Sequence, residues 1–500
     1  MTRGDHTAAR PPRAPVLEAA RGLAGRSRLR VARALRSGAG GWAIWFAVAF
    51  GLFNAGLSHQ GLIAVQRALN AGQYPGAAGA VRAYVTNDGD MLRYFAYVQA
   101  ARGRPYQSYF VRSAEEWRRA FAAQEPFEPD ERPTVSPGAS LAPYRDFLVE
   151  YPPGFFLVAL PWTWLCRDAG AYVMLFQSAM AACLTGAVLL LARARAVVAG
   201  GDPPDAGRLA AWAGVGALAL GVVTTHRYDA AVAFAIALAA WALVMRRPAW
   251  LGLAVAVAIM LKGAPLVIVP LLVLQAIRAR RPGALGRATL AALVAGALIA
   301  LPAIVPAGKG IFQSLWYHLD RPVQIESTWG AVAGLWHAVH PGSLHVEKTF
   351  GSTNVVGPGL GAFGPISQIV TVAGLLAVYG VTWRRLDPRA ASDAAPPELA
   401  TLEGFAAALA VFIACGRVCS PQYLVWLLPL GVMLSLTSPR RVGLPLLVTT
   451  FALTQVIYPI GYGALEALRP WACALVLLRN LLLLIWARVI LGRDGTAPLR

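Results

Sequence analysis

Residues 229–278 read DAAVAFAIALAAWALVMRRPAWLGLAVAVAIMLKGAPLVIVPLLVLQAIR. Three apolar runs, at about 229–245, 249–262 and 263–278, are parted only by Arg246-Arg247 and by Lys262-Gly263. A surface helix of a soluble protein carries a polar face. These runs are apolar all round and come one after another, which is the pattern of helices packed inside a membrane. Further runs of the same kind lie at about 42–59, 171–192, 209–225, 288–306, 366–383, 400–416, 421–438, 442–460 and 471–492. The expected fold is all-α, a polytopic membrane helical bundle of about twelve spanning helices. Over the whole chain 57% of residues are hydrophobic and 14% charged, against roughly a quarter charged in soluble domains.

The formal net charge is +20. No basic patch interleaved with aromatics accompanies it, so membrane lipids rather than nucleic acid are the expected partner. The arginines sit in short loops beside apolar runs. With the N-terminus inside, each short inside loop carries a basic residue, among them Arg193, Arg246, Arg278, Arg384, Arg440 and Arg488. The positive-inside rule therefore places both termini in the cytoplasm of a multi-pass protein of the cell (plasma or inner) membrane. Residues 1–41 read as a cytoplasmic Arg-rich arm without the early apolar core of a cleavable signal peptide. A membrane domain spans 42–492, and 493–500 form a cytoplasmic tail. The Pro-broken run PPGFFLVALPWTWLC (152–166) reads as a re-entrant or membrane-surface helix, because counting it as a span would put Arg193 and Arg195 outside. Two long extracytoplasmic segments follow, at about 60–170 and 307–365.

Polar residues able to do chemistry gather on that outer side. In TNDGDMLRYFAYVQAARGRPYQSYF (86–110), Asp90, Arg93, Tyr94 and Tyr97 stand at helical i, i+3, i+4 and i+7 spacing. Asp90 or Asp88 could act as a general base toward a hydroxyl; the plain alternative is an acidic turn capping a helix. In YRDFLVEYPPGFF (144–156), a Pro-Pro pair makes Glu150 and Tyr151 a rigid post or an ordinary loop-to-helix transition. In TTHRYD (224–229), Arg227 and Asp229 could pair with each other, or Arg227 could hold a phosphate with its fork of donors. Lys262 interrupts an apolar run just before Gly263 and Pro265. An ionisable group at that depth marks either a phosphate site or a snorkelling side chain.

The stretch WYHLDRPVQIESTWG (316–330) offers His318, Arg321, Gln324 and Glu326, a mixture suited to sugar recognition. In CGRVCSPQYLVWLLPL (415–430), Arg417 ends one span and Gln422 and Tyr423 start the next. Arg417, Arg227 and Lys262 are then expected at one membrane level, where a shared anion would explain them. Arg479, inside the last apolar run, reads as a polar contact between helices. The five cysteines read as small buried hydrophobes. No Cys/His spacing suggests a metal site, and no cofactor is expected.

The ordered series DGDMLRY, GRPY, EYPPG, the R-Y-D turn, LKGAPLVIVP, HLDRPVQIES and SPQYLVWLLP resembles the GT-C superfamily of membrane glycosyltransferases over roughly residues 40–460. Within it, the series is most similar to glycosyltransferase family 87. The resemblance implies transfer of a sugar, mannose or another hexose or pentose, from a polyprenyl-phosphate carrier to a lipid or glycan acceptor on the outer face. It implies Asp90 as the base, with Asp88 second. Lys262, Arg227 and Arg417 are the expected donor-phosphate ligands. Arg93, Tyr94, Glu150, Tyr151, Asp229, His318, Arg321, Gln324, Glu326, Gln422 and Tyr423 are expected around the substrates. A transporter or flippase of lipid-linked glycans is the rival from another class. Such proteins often show repeated halves, which this sequence lacks.

Overall fold

The computed structural model describes residues 89–103, 141–166, 169–198, 206–387, 396–437 and 442–492. Asp88, the run at 42–59, the arm at 1–41, the tail at 493–500 and most of the first long outside segment lie outside the described residues. The helices are, in chain order, α1 (Gly89–Ala101), α2 (Phe155–Ala159), α3 (Ala169–Val198), α4 (Ala206–Leu220), α5 (Asp229–Val244), α6 (Pro248–Leu261), α7 (Val269–Arg278), α8 (Pro282–Ala307) and α9 (Gln313–Asp320). A short strand β1 (Val323–Gln324) leads into α10 (Thr328–Val339), and strands β2 (His345–Thr349) and β3 (Ser352–Val356) follow. The chain then continues through α11 (Phe363–Arg385), α12 (Pro397–Cys415), α13 (Leu428–Thr437), α14 (Gly443–Gln455), α15 (Tyr462–Glu466) and α16 (Pro470–Leu491).

The molecule is an all-α polytopic membrane bundle. Among the described residues seven helices are long and apolar enough to cross a membrane: Gly170–Val198, Gly207–Thr224, Pro282–Asp320, Leu360–Arg385, Pro397–Cys415, Gly443–Ile460 and Pro470–Leu491. Four further runs read from the sequence as spans are shorter apolar helices, at Asp229–Val244, Pro248–Leu261, Ala264–Arg278 and Leu428–Thr437. α5 shows why. Its 16 residues reach roughly 24 Å at about 1.5 Å per residue, short of a hydrocarbon layer of about 30 Å. It is buried nearly throughout and packs between α3 and α6. Its apolar perimeter serves a protein interior, and its many alanines let neighbouring backbones come close. The Pro-broken run at 152–166 is α2 followed by a 3-10 turn at Pro161–Trp164, ten residues in all and too short to span.

Exposure sorts the long helices. The apolar window of Pro397–Cys415 is 89% buried and runs through the centre, whereas those of Pro282–Asp320 and Leu360–Arg385 are 17% buried. Leu290, Leu293, Leu298 and Val305 of α8 are exposed large apolar side chains, as a lipid-facing helix requires. The helical path beyond α8 continues through a 3-10 turn and α9 to Asp320. His318 therefore sits on a helical extension rather than in an irregular loop.

The segment 307–365 also contains a small sheet that the sequence does not announce. Strands β1, β3 and β2 are antiparallel and lie in that order, with Val323 opposite Val355 and Gln324 opposite Asn354. With α10, the sheet packs on α15 and α16 through Ile325, Ala331, Val355, Leu465, Cys473 and Val476, a second core beside the main one. This small sheet holds the residues after Arg321 over one end of the bundle.

Candidate active site

α1 presents its polar stripe inward. Arg93 Nη1 lies 2.8 Å from Glu150 Oε1, and the Tyr97 hydroxyl donates to Glu150 Oε2 at 2.6 Å. Both oxygens of this buried carboxylate are thereby occupied. His318 Nε2 lies 3.0 Å from the Glu150 carbonyl oxygen, so that nitrogen carries the proton. One turn before Arg93, Asp90 forms an ion pair with Arg227. Tyr94 packs edge-on against Tyr151, Phe155 and Tyr228.

The EYPPG stretch is fixed by Gly154. Its N–H donates to the Met260 carbonyl at 2.9 Å. A Cβ at this position would collide with the backbone of Met260 and Leu261. Only glycine lets the post dock on the last turn of α6, directly before Lys262.

α6 ends at Leu261. Lys262 is extended (φ −156°, ψ 121°), and Gly263 and Pro265 begin a 3-10 turn. The Lys262 ammonium lies 2.8 and 3.0 Å from the two carboxylate oxygens of Asp229. It also lies 4.9, 5.0 and 5.5 Å from the ring centres of Tyr228, Tyr423 and Trp426, within cation–π range. Asp229 is fully buried and accepts a further bond from Trp426 Nε1 at 2.7 Å. Arg227 and Asp229 thus do not pair with each other; each takes a partner from another element.

The facing wall is the segment 321–326. Gln324 joins it to the chain around Cys419. Its backbone N–H donates to the Arg417 carbonyl at 3.0 Å, its Oε1 accepts from the Cys419 N–H at 3.0 Å, and its Nε2 donates to Ser420 Oγ at 3.1 Å. The same amide nitrogen donates to Glu326 Oε2 at 2.7 Å. The other carboxyl oxygen of Glu326 is buried and makes no hydrogen bond among the described residues. Burial pushes the Glu326 carboxyl up to about 7, against the opposing pull of Arg479, Arg227 and Arg321. Arg479 is buried behind it and donates from Nη2 to the Glu326 carbonyl at 2.6 Å. Its neighbour Asn480 donates to Thr328 Oγ1 at 2.9 Å, so the polar contact expected of Arg479 anchors this wall. Arg321 donates from Nε to Ser352 Oγ at 3.2 Å. Among the described residues it has no carboxylate partner.

These walls enclose a cavity of about 590 Å³. Asp90, Arg93, Tyr94, Glu150, Tyr151, Arg227, Lys262, His318, Arg321, Gln324, Glu326, Gln422 and Tyr423 all line it. Of the expected residues that are described, two do not. Asp229 lies behind Lys262 and holds it. Arg417 turns away, its guanidinium donating to the carbonyls of His318, at 2.8 Å, and Leu319. It satisfies the carbonyls at the end of α9, as cations at helix C-termini do. Tyr317, Lys348, Thr353, Tyr458, Tyr462 and Glu466 also line the cavity, and sequence reasoning misses them. Tyr458-Pro459, where the chain leaves helical geometry at Tyr458 (φ −135°, ψ 118°), is the one signal that could have drawn attention to its surroundings.

Among the described residues no three His, Cys, Asp or Glu side chains gather where a metal ion could be held. The five cysteines are free thiols, none of them fully exposed.

No curated protein matches the chain. The family model for glycosyltransferase family 87 matches residues 147–396. The matched half contains Glu150, Arg227, Lys262, Arg321 and Glu326 of the cavity wall. With several helices long and apolar enough to cross a membrane, the chain belongs to glycosyltransferase family 87 and is a multi-pass membrane glycosyltransferase.

Proposed function

We propose that this enzyme transfers a sugar, mannose or another hexose or pentose, from a polyprenyl-phosphate carrier to a hydroxyl of a lipid or glycan acceptor. The reaction takes place on the extracytoplasmic face of the cell membrane, with both termini in the cytoplasm. The observation that carries this reading is the meeting of Asp90 with Arg227, Lys262 and Arg321 in one cavity. An acid and fixed cations at one end of a helical bundle suit a lipid-borne phosphate ester and an incoming hydroxyl.

Asp90 is the general base. It takes the acceptor proton as the bond from the anomeric carbon to the phosphate oxygen breaks and the new glycosidic bond forms. The leaving phosphate needs no proton; it needs cations aimed at the charge it gains. Lys262, held by Asp229, and Arg227 supply them. Arg321 takes the third place, since Arg417 points out of the cavity. An arriving phosphate would compete with Asp90 for the Arg227 guanidinium. Donor binding would then free a carboxylate oxygen toward the acceptor. A single displacement inverts the anomeric carbon without a covalent intermediate.

Purified protein in liposomes, given radiolabelled polyprenyl-phosphate mannose and a membrane lipid extract, should produce a labelled glycolipid or glycan. Movement of intact labelled donor across the bilayer with no new labelled product would replace transfer by transport.

A further inference from the structure

Glu326 stands apart from the other acids of the cavity. Asp90, Glu150 and Glu466 each have a cation at ion-pair distance: Arg227, Arg93 and Lys348. Glu326 has none within that distance among the described residues. It is buried, lines the cavity, and is held through one oxygen by Gln324, while the other oxygen has no hydrogen-bond partner among the described residues. Leaving a buried polar atom without a partner is unfavourable, and such an atom on a cavity wall is satisfied when a ligand brings the missing group.

The surroundings restrict what that group can be. The titratable and charged groups facing Glu326 are Arg479 behind it, Arg227 and Arg321 across it, and Tyr462 and Cys419 beside it. A cationic ligand would meet three guanidinium groups. An anionic one would meet the Glu466 carboxylate, 3.4 Å from the Thr353 hydroxyl. A hydroxyl, which both donates and accepts, suits the site. Tyr462 and Thr353 line the same cavity. Tyr458 and Tyr462 meet edge to face with ring centres 5.1 Å apart, which gives this end an apolar, sugar-compatible surface.

We propose that Glu326, with Tyr462 and Thr353 beside it, forms a second polar subsite that reads a hydroxyl of a neutral sugar ring, separate from the Asp90–Arg227–Lys262 group. This rests on reading the cavity as the site of sugar transfer. The carboxyl works in its neutral form, its O–H donating to the sugar hydroxyl oxygen or its carbonyl oxygen accepting from the sugar O–H. Burial raises it to about 7, so the neutral form falls away as pH rises through that value.

The test is direct binding, independent of turnover. Octyl α-mannoside and octyl β-glucoside are titrated into the detergent-solubilised full chain and into its Glu326→Ala and Glu326→Gln variants. Polyprenyl-phosphate mannose is titrated in parallel. Wild type should bind at least one octyl glycoside saturably. Glu326→Ala should weaken that binding about tenfold or more, and Glu326→Gln, which keeps a neutral donor and acceptor, should bind within about threefold of wild type. Wild-type affinity should fall as pH rises through about 7, whereas that of Glu326→Gln should stay level. Weakening confined to the octyl glycosides assigns the hydroxyl to the acceptor; weakening confined to the polyprenyl donor assigns it to the donor sugar. Equal affinities for every ligand, donor included, in wild type and Glu326→Ala, the same pH dependence in Glu326→Gln as in wild type, or no saturable binding of any glycoside would overturn the subsite. If Glu326→Ala fails to fold, the pH comparison between wild type and Glu326→Gln decides. Failure of sugar transfer in liposomes would remove the proposed reaction while leaving this binding result to stand or fall alone.

Discussion

The two walls of the cavity treat charge in opposite ways. On the wall built from α1, the 150–154 post and the starts of α5 and the 3-10 turn after α6, every ionised group has an opposite number: Asp90 with Arg227, Arg93 with Glu150, Lys262 with Asp229. On the 321–326 wall, among the described residues, Arg321 has only a hydroxyl and Glu326 keeps a bare oxygen. Paired buried charges are expensive to disturb and hold their geometry. Those on the first wall make a rigid frame that sets where a base and a phosphate site stand before substrate arrives, the pre-organisation that catalysis by fixed charges requires. Unpaired groups on the second wall have bonds left to make. Frame and reader are different jobs, and the cavity divides them between its walls.

The largest effect should come from within the frame. Asp90→Asn keeps the size of the side chain but removes the base. Transfer should drop by about a hundred- to ten-thousandfold, with an unchanged elution profile in detergent; turnover near the wild-type level would show that the first wall supplies no base.

Lys262→Met is next. It leaves the buried Asp229 carboxylate with Trp426 as its remaining partner, a loss of about 3–5 kcal/mol in stability for a broken buried pair. Lys262→Met combined with Asp229→Leu should recover most of that loss in a denaturation titration, yet still bind the polyprenyl-phosphate donor weakly. A double variant no more stable than Lys262→Met would mean that the pair does not form the frame.

The second wall yields a smaller effect with a definite sign. The folded Glu326 carboxyl titrates near 7, against 4.5 for an ordinary glutamate. Between those values the folded chain holds a proton that the unfolded chain has released. Stability should therefore fall as pH rises from about 4.5 to about 7 and stay low above it. Glu326→Gln should remove that slope and be the more stable protein at alkaline pH, by on the order of 3 kcal/mol. Parallel stability curves for the two proteins would place Glu326 in a solvated setting. Smallest of all, Arg417→Gln should change donor affinity by less than about threefold, since its guanidinium is spent on the carbonyls of α9; a loss as large as that from Lys262→Met would bring Arg417 back into the phosphate site.

The frame is readable in the sequence because its parts are local. Asp90, Arg93, Tyr94 and Tyr97 fall on one helical face by spacing alone, and Lys262 interrupts an apolar run at Gly263 and Pro265. Gly154 is equally local, and its close approach to Met260 explains why the EYPPG stretch takes that form. Partnership is not local. Arg227 and Asp229 are two residues apart, yet they pair with Asp90 and Lys262, because α1 and α6 reach the cavity from other parts of the chain. The placing of spans depends on packing in the same way. The perimeter of α5 is as apolar as that of α8, and only packing decides that α5 lies inside the protein while α8 faces lipid. The sheet of β1, β3 and β2 leaves no clear trace in the sequence, since strands of two to five residues are too short for an alternating pattern to emerge. Tyr462 and Glu466 reach the cavity through that sheet and its second core, which is why spacing along the chain does not reveal them.

The most direct measurement is a structure of the Asp90→Asn protein with polyprenyl-phosphate mannose bound. The division between the walls predicts the phosphate within hydrogen-bond reach of Arg321 and of Arg227 or Lys262, with the sugar ring lying between the substituted side chain on α1 and Glu326. A phosphate seated on Arg417, or a donor held outside the cavity altogether, would contradict it.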